Sequence, residues 1–246
     1  MIAPTATIGG DTAKAYLLKE EIPLKDGIAG VLVDKTLDNL SKMLFNIVGL
    51  LVAVFYISLP QDWIVGCVIF LVILFAVNTA LLVFQIRGMK GAILKITKLI
   101  PPLKRQLEKR QEQLDSLDEN LKDYYTKNPK SLIIASCWHI IGRVLGVVEI
   151  WLIMHLLGAP IGFIGAFFIA SITNVVNGMF SFIPGQWGVS EEAQVLLVEL
   201  LGFAKTIGLS LGIIRRIRRL FITAIGLLFF AVMGEEKKEG LKRQND

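Results

Sequence analysis

The sequence predicts an all-α, polytopic helical membrane protein, one membrane domain over residues 1–246, with an inverted repeat and with broken or re-entrant helices. Two compositional observations support this class: 54% of the 246 residues are hydrophobic and only 19% are charged, whereas a soluble domain carries about 25% charged residues. A third observation is that several apolar runs are long enough to cross a hydrocarbon core of about 30 Å. Together they argue against a soluble enzyme, a coiled coil, a collagen and a disulfide scaffold.

The first half of the repeat, residues 1–84, contains two predicted spans. Residues 1–39 alternate short apolar stretches with charges, so they are too polar for a span that faces lipid. The segments 43–59 and 63–84 are apolar, and only a short turn at 60–62 separates them. Such a short connection makes the two helices antiparallel neighbours.

Residues 85–130 form the densest basic region outside the predicted spans, with eleven Lys or Arg against six Asp or Glu. The positive-inside rule places this segment in the cytoplasm. Apolar residues between lysines over 86–100 are typical of an interfacial helix. A second, charged helix with one apolar stripe is predicted over 103–121, and we interpret it as a solvated helix rather than as a specific partner site.

The second half of the repeat, residues 131–233, begins with predicted spans at 132–157 and 161–183. We therefore expect at least four full spans in the chain. The second of these carries a polar stripe, which we interpret as hydrogen bonding between helices and which consists of Ser171, Asn174, Gly178 and Ser181.

The pattern changes after the fourth predicted span. Gly, Pro, Glu and Lys interrupt residues 184–214, which indicates broken helices rather than a simple span. An arginine cluster at 215–219 and an apolar run at 220–233 follow. The polar tail, residues 234–246, is expected to be a disordered end.

One face of the predicted helix 132–157 is small and polar, with Gly142, Gly146, His139, Arg143 and Glu149 within one arc. Ionisable side chains in a span are costly unless they face protein or a watery cavity. We therefore expect Glu149 to point inward and the glycines to permit close approach of another helix. For His139 we favour the alternative, in which it extends to the cytoplasmic interface.

An internal repeat appears when the chain is laid on itself at an offset of 180, which pairs Asp11 with Glu191 and Lys35 with Arg215. In both copies Pro and Gly lead into an acid, a base follows 24 residues later, and an apolar run comes next. Paired interrupted segments of this kind indicate a transporter-like site built from discontinuous helices. We predict one shared polar cavity for an anionic headgroup, lined by Asp11, Lys14, Lys35, Glu149, Glu191, Arg215 and Arg216.

Two alternatives stay open at this stage. Ser190 is a possible N-cap of a helix that starts near it, and Glu191 in the first turn then acts as a cap rather than as a proton or substrate site. The arginine cluster also fits an ordinary cytoplasmic flank of a span. The repeat favours a position on or near the outer side, because inverted halves run in opposite directions.

Two motifs resemble the lysylphosphatidylglycerol synthase transmembrane-region family, the flippase-like integral membrane proteins. The first contains Pro4, Gly10, Asp11, Lys14 and Tyr16 and continues into VLVDKTLDNL, and the second is FIPGQWGVSEEAQVLLVELLGF, followed by a basic residue. The resemblance implies a plasma-membrane module that handles or moves membrane lipids, lipid-linked sugars or polyprenyl carriers, without lipid lysylation.

The chain departs from the family pattern in two ways. Family members usually carry further helices before the first motif, so we expect a member shortened at its N-terminus. Lysines at 14 and 35 stand where arginines are more typical. They keep the charge but lose the planar, bidentate geometry that suits phosphate.

The leading functional hypothesis is a flippase-like protein for an anionic lipid or a lipid-linked substrate. The alternative is a non-transporting scaffold that holds a glycosyltransferase or lipid synthase through the helix at 103–121. We expect no enzyme activity, cofactor or metal, because the sequence lacks a nucleophile–base pair, a nucleotide loop and a metal-ligand spacing. The basic residues lie beside the spans, which predicts a membrane topology signal and no nucleic-acid partner.

Overall fold

The computed structural model describes residues 23–56, 61–87, 111–127, 129–183 and 186–245, and all of its regular structure in that part of the chain is helical. Three of the described helices are long and apolar enough to cross a membrane. The structure therefore confirms an all-helical membrane protein. In chain order the described helices are α1 (Leu24–Tyr56), α2 (Gln61–Arg87), α3 (Gln111–Lys127), α4 (Pro129–Leu156), α5 (Phe163–Met179), α6 (Val189–Leu200) and α7 (Lys205–Asn245).

Helix α1 begins at Leu24, far before 43, so the predicted start of the first span is wrong. Several polar residues of this first part of the helix bind neighbouring helices. Asp34 and Asp38 face α4, and Thr36 faces α2. A polar segment is compatible with a long helix when neighbouring helices satisfy its side chains.

Helices α1 and α2 form the predicted antiparallel hairpin. Gln85, in the last turn of α2, lies with its Nε2 2.9 Å from the hydroxyl of Thr36, near the start of α1. Many apolar side chains of this hairpin are exposed, among them Leu51, Phe55 and Val72. An exposed apolar surface on long helices is the surface that lipid covers.

Helix α3 packs across one end of the bundle, against α1, α2 and α4. Leu121, which belongs to the predicted apolar stripe, is fully buried with Ala29 and Val33 of α1. At this residue the apolar stripe packs against the bundle, whereas Glu119, Lys122 and Thr126 of the same helix are exposed. Most of the predicted interfacial helix and the first part of the predicted charged helix, residues 88–110, lie outside the described residues.

A hydrogen bond from Tyr125 connects α3 to the end of α2. Its hydroxyl donates to Oε1 of buried Gln85 at 2.6 Å, and burial raises the pKa of Tyr125, which keeps the donor protonated. We expect Tyr125→Phe to lower the free energy of unfolding in detergent micelles by about 1 to 2 kcal/mol. Tyr124→Phe is the control, because the Tyr124 hydroxyl makes no hydrogen bond within the described part of the chain. Equal losses for the two variants would contradict this assignment.

Helix α5 is the core of the bundle rather than a fourth full span. It contacts α1, α2, α4 and α6, and its 17 residues extend about 26 Å at about 1.5 Å per residue. The predicted span at 161–183 is therefore too long. A Cβ added at Gly49 of α1 would lie 2.0 Å from Oγ of Ser171, so the backbones of α1 and α5 cross in near contact.

Helices α5 and α6 form a second, short hairpin, which confirms the predicted interruption after residue 183. The end of α5 meets the start of α6 through Asn177 and Ser190, and a Cβ added at Gly165 near the start of α5 would lie 3.7 Å from Leu201, just after α6. Helix α6 has 12 residues, about 18 Å. Neither helix crosses a core of about 30 Å, so this hairpin is re-entrant.

Helix α7 runs without interruption from Lys205 to Asn245. The apolar run at 220–233 and the tail after it belong to this one helix, so the expectation that residues 234–246 are a disordered end is wrong through Asn245. The tail is rich in Glu, Lys and Arg, which are good helix formers. Adding residues to an established helix avoids the cost of nucleation.

Candidate functional site: a charged cavity between four helices

A cavity of about 360 Å³ lies between α1, α4, α5 and α7. Each of the four helices contributes polar or small side chains, and α1, α4 and α7 contribute charged ones. The lining residues are Asp38, Phe45, Trp138, His139, Gly142, Arg143, Gly146, Ala170, Asn174, Arg215 and Arg218.

Asp38 joins α1 to α4 at one side of the cavity. A terminal guanidinium nitrogen of Arg143 donates to the carboxylate of Asp38 and, at 3.0 Å, to its backbone carbonyl. Lys42, one turn further along α1, donates to the second carboxylate oxygen at 2.7 Å. This carboxylate therefore holds two bases at once, and it fixes the position of Arg143 in the cavity wall.

Glu149 joins α4 to α7 at the other side. Its carboxylate lies 2.8 Å from Nε of Arg218 and 3.7 Å from Nε of Arg215. The Glu149 side chain is only 16% exposed, which confirms that it points into protein rather than lipid. It lies about 30 Å along α4 from Pro129 and about 10 Å from Leu156. Of its two partners, Arg215 is 20% exposed and Arg218 is 48% exposed.

Gly142 and Gly146 border the cavity and do not serve the expected close approach of another helix. A Cβ added at either position would meet nothing within 4 Å. That expectation is wrong because the space beside these glycines is the cavity itself. Side chains there would occupy it.

The interfacial position favoured for His139 stays a prediction, and the structure shows the partners of its ring. Its Nε2 lies 2.9 Å from a carboxylate oxygen of Asp34, and its Nδ1 lies 3.6 Å from one of Asp38. The ring therefore faces α1 and the cavity. His139 and Arg143 lie four residues apart on α4, and Asp34 and Asp38 lie four residues apart on α1. Each pair therefore occupies one face of its helix.

Glu191 and Arg216 form a separate pair at the start of α6. One oxygen of Glu191 accepts hydrogen bonds from the backbone N–H of Gly188, at 3.1 Å, and from Arg216, at 2.8 Å. The Arg216 guanidinium also stacks over Trp187, 4.6 Å from the ring centroid. Glu191 is therefore the cap of α6 and an ion-pair partner together, which supports the capping alternative.

The N-cap position of α6 is Gly188 and not Ser190. Gly188 has a φ of 81°, which glycine adopts without the steric cost that a Cβ imposes. Ser190 lies two residues further on and is 1% exposed, and its hydroxyl accepts hydrogen bonds from the side-chain amides of Asn177 and Gln194 at 3.4 Å. The expected N-cap is therefore wrong, although the helix begins close to it.

The predicted cavity residues divide into three groups. Arg215 lines the cavity, and Glu149 forms an ion pair with Arg215. Lys35, Glu191 and Arg216 are absent from the described lining, so the structure does not bring the two motifs into this cavity as one set. Asp11 and Lys14 lie outside the described residues, and the inverted repeat stays a prediction.

Sequence reasoning missed the role of Asp34 and Asp38. The signal was present: Asp34, Asp38, Ser41 and Phe45 follow one another at spacings of four, three and four, which places them on one helix face. This periodicity continues into the apolar run after 43, so the polar and apolar parts belong to one helix.

The cavity is net positive. Arg143, Arg215 and Arg218 line it against one lining carboxylate, Asp38, and counting the adjacent Glu149 still leaves one positive charge in excess. The Nε of Arg143 is buried and has no hydrogen-bond partner among the described residues. Guanidinium groups with an unused donor suit phosphate and carboxylate oxygens, so the site fits an anion.

A bundle of apolar helices around a re-entrant hairpin, with arginines held at the cavity between them, defines an integral membrane protein. The chain belongs to the family described as the lysylphosphatidylglycerol synthase transmembrane region, whose model matches residues 1–226 of the 246. This confirms the resemblance seen in the two motifs, and it points to a membrane protein in lipid handling. No curated protein and no solved structure matches the chain.

Proposed function

We propose that the cavity between α1, α4, α5 and α7 admits the anionic headgroup of a membrane lipid, or of a lipid-linked sugar, and lets it pass through the bundle. The observation that carries the proposal is the excess of arginine over carboxylate in a cavity between helices of a membrane protein. A fixed positive charge among membrane helices is costly unless an anion compensates it. A lipid phosphate reaches this depth with its acyl chains still in the bilayer.

The ion pairs suit temporary binding rather than permanent capture. Each arginine of the cavity has a resident carboxylate, Asp38 for Arg143 and Glu149 for Arg215 and Arg218. A phosphate competes with these carboxylates, so part of its attraction is offset by the pair that it displaces. Passage by exchange of ion-pair partners needs no nucleotide and no catalytic residue, so the proposed activity is not enzymatic.

The proposed location is the plasma membrane, with residues 85–130, and thus α3, on the cytoplasmic side. The scaffold alternative gains no support from Leu121, because its side chain is fully buried against α1 rather than available to a glycosyltransferase or lipid synthase. We therefore give lipid passage precedence over scaffolding.

Filling the cavity tests this function directly. Gly146→Leu places a side chain into the open space beside α4, and leucine is a better helix former than glycine, so the helix itself gains. We expect exchange of a tail-labelled phosphatidylglycerol in phosphatidylcholine liposomes to fall roughly tenfold or more, because the leucine side chain occupies space that the headgroup would use. A tenfold lower rate corresponds to about 1.4 kcal/mol in the barrier. The measurement is the rate at which label that starts in the inner leaflet reaches the outer leaflet, where a membrane-impermeant reductant bleaches it.

Gly226→Leu is the matched control, because Gly226 of α7 also has nothing within 4 Å of an added Cβ but lies outside the described cavity lining. It should keep the wild-type exchange rate. Equal slowing by the two leucines, or a wild-type rate no faster than that of protein-free liposomes, would refute the proposed passage. Wild-type protein should also exchange phosphatidylglycerol faster than tail-labelled phosphatidylcholine, since the cavity favours net negative headgroups.

A further inference from the structure

His139 lies between two carboxylates of α1, and it lies within hydrogen-bond distance of only one of them. Its Nε2 is 2.9 Å from Asp34, a hydrogen-bond distance, whereas its Nδ1 is 3.6 Å from Asp38, beyond that distance. In the neutral imidazole, a hydrogen on Nε2 serves the short contact with Asp34, and Nδ1, which faces Asp38, is the position open to a second proton.

Charged groups reach His139 from three helices. From α1 come Asp34, Asp38 and Lys42, the last bound to Asp38. From its own helix comes Arg143, and from α7 come Arg215 and Arg218 across the cavity. Helix α5 contributes only the uncharged Ala170 and Asn174 to the described lining.

Asp38 connects this open position on His139 to the anion site. In the structure its Oδ1 accepts from Arg143, and the same oxygen is the one nearest His139 Nδ1. An anion that draws Arg143 into the cavity takes a positive partner away from Asp38. A carboxylate at 22% exposure is poorly compensated by solvent, so the loss favours a new cation beside it.

We propose that this structure holds a proton site coupled to headgroup binding: when an anionic headgroup engages Arg143, His139 takes up one proton at Nδ1 and replaces Arg143 as the partner of Asp38. The inference rests on the proposed function, and it adds the proton as a second ligand. Asp34 is half exposed, at 52%, so it offers a route by which a proton reaches the imidazole from water. The proton returns to water when the headgroup leaves and Arg143 re-forms its pair with Asp38.

The sign of the pH dependence follows from this exchange. Because the bound state holds one more proton than the free state, lowering the pH strengthens headgroup binding, and raising the pH weakens it. Histidine is the side chain whose ordinary charge change falls between about pH 5 and about pH 8. Coupling between two sites typically changes affinity by a factor of about 5 to 150.

The test is binding of a short-chain, soluble phosphatidylglycerol to the full chain in detergent micelles at about pH 5.5 and about pH 8. The phosphodiester of this probe stays ionised throughout, so its own charge does not change. We expect the affinity to be roughly tenfold higher at the lower pH. Calorimetry in two buffers of different ionisation enthalpy should show uptake of up to one proton for each probe bound.

The chain provides its own control, since it has only two histidines. His139→Gln should abolish both the pH dependence and the proton uptake. His155→Gln should retain both, because His155 bonds the carbonyl of Trp151 within its own helix and lies outside the described cavity lining. Proton uptake that persists in His139→Gln would overturn the proposal.

A second variant keeps the test decisive if His139→Gln does not fold. Asp34→Asn removes one of the two carboxylates beside His139 but leaves the Asp38–Arg143 pair intact, so it should shift the affinity profile toward lower pH without abolishing binding. An unchanged profile in Asp34→Asn would also overturn the proton site. Binding that is strong and independent of pH in the wild type defeats the proton site and leaves the proposed function standing, whereas no binding or exchange at either pH defeats the proposed function.

Discussion

Glu149→Gln should lower the free energy of unfolding by about 3 kcal/mol, the low end of the cost of breaking a buried ion pair by removal of one partner. The substitution keeps the size of the side chain and removes the one carboxylate that contacts both Arg215 and Arg218 among the described residues. Arg215 is only 20% exposed, so water compensates its charge poorly. The measurement is denaturant unfolding of the purified chain in detergent micelles.

The control for this variant is Glu199→Gln, which makes the same chemical change at the exposed end of α6, next to the connection to α7. Glu199 pairs with Lys205 at 3.3 Å, but their side chains are 45% and 66% exposed. We expect a loss of about 0 to 1 kcal/mol there. A loss at Glu149 no larger than at Glu199 would show that the arginines of the cavity do not depend on this carboxylate.

Gly208→Val should be the most destabilising single substitution that we describe, with a loss of about 4 kcal/mol or more. A Cβ at Gly208 of α7 would lie 2.6 Å from the Cα of Val195 and 2.9 Å from the carbonyl oxygen of Gln194, both in the backbone of α6. A backbone atom cannot rotate aside, so the two helices must separate. The separation also moves Arg216 of α7 away from Glu191 of α6.

Gly226→Val separates this effect from the poorer helix propensity of valine. Gly226 lies on the same helix and has nothing within 4 Å of an added Cβ, so its variant should stay within about 1 kcal/mol of the wild type. Unfolding in detergent micelles measures both variants. If the two valines cost the same, the close contact between α6 and α7 contributes nothing to stability.

Much of the helical framework was predictable from local patterns. The boundaries of α2 and α4 lie within a few residues of the predicted spans, because the free energy of placing a segment in a bilayer is close to a sum over its own residues. The inward direction of Glu149 was predictable for the same reason, since a carboxylate near mid-membrane is costly against lipid. The break before α6 followed from the Pro and Gly content of its approach.

The pairs that form the cavity were not predictable in this way. Asp38 and Arg143 are 105 residues apart, and nothing local in either segment identifies the other. The start of α1 was not predictable from its own polar residues, because Asp26 and Asp38 have their partners on α3 and α4. Likewise, Gly142 and Gly146 are compatible with a tight helix crossing or with a cavity wall, and only the positions of the neighbouring helices distinguish the two.

The sequence by itself determined the membrane class, the helical framework and the family, because apolar length, charge content and short motifs are properties of contiguous residues. The tertiary structure alone decided which charges share a cavity and which of them cap a helix. The physical reason is that electrostatic pairing depends on distances of a few ångströms between separate helices. Those distances are set by close backbone contacts, such as Gly49 with Ser171 and Gly208 with Val195, that no single segment specifies.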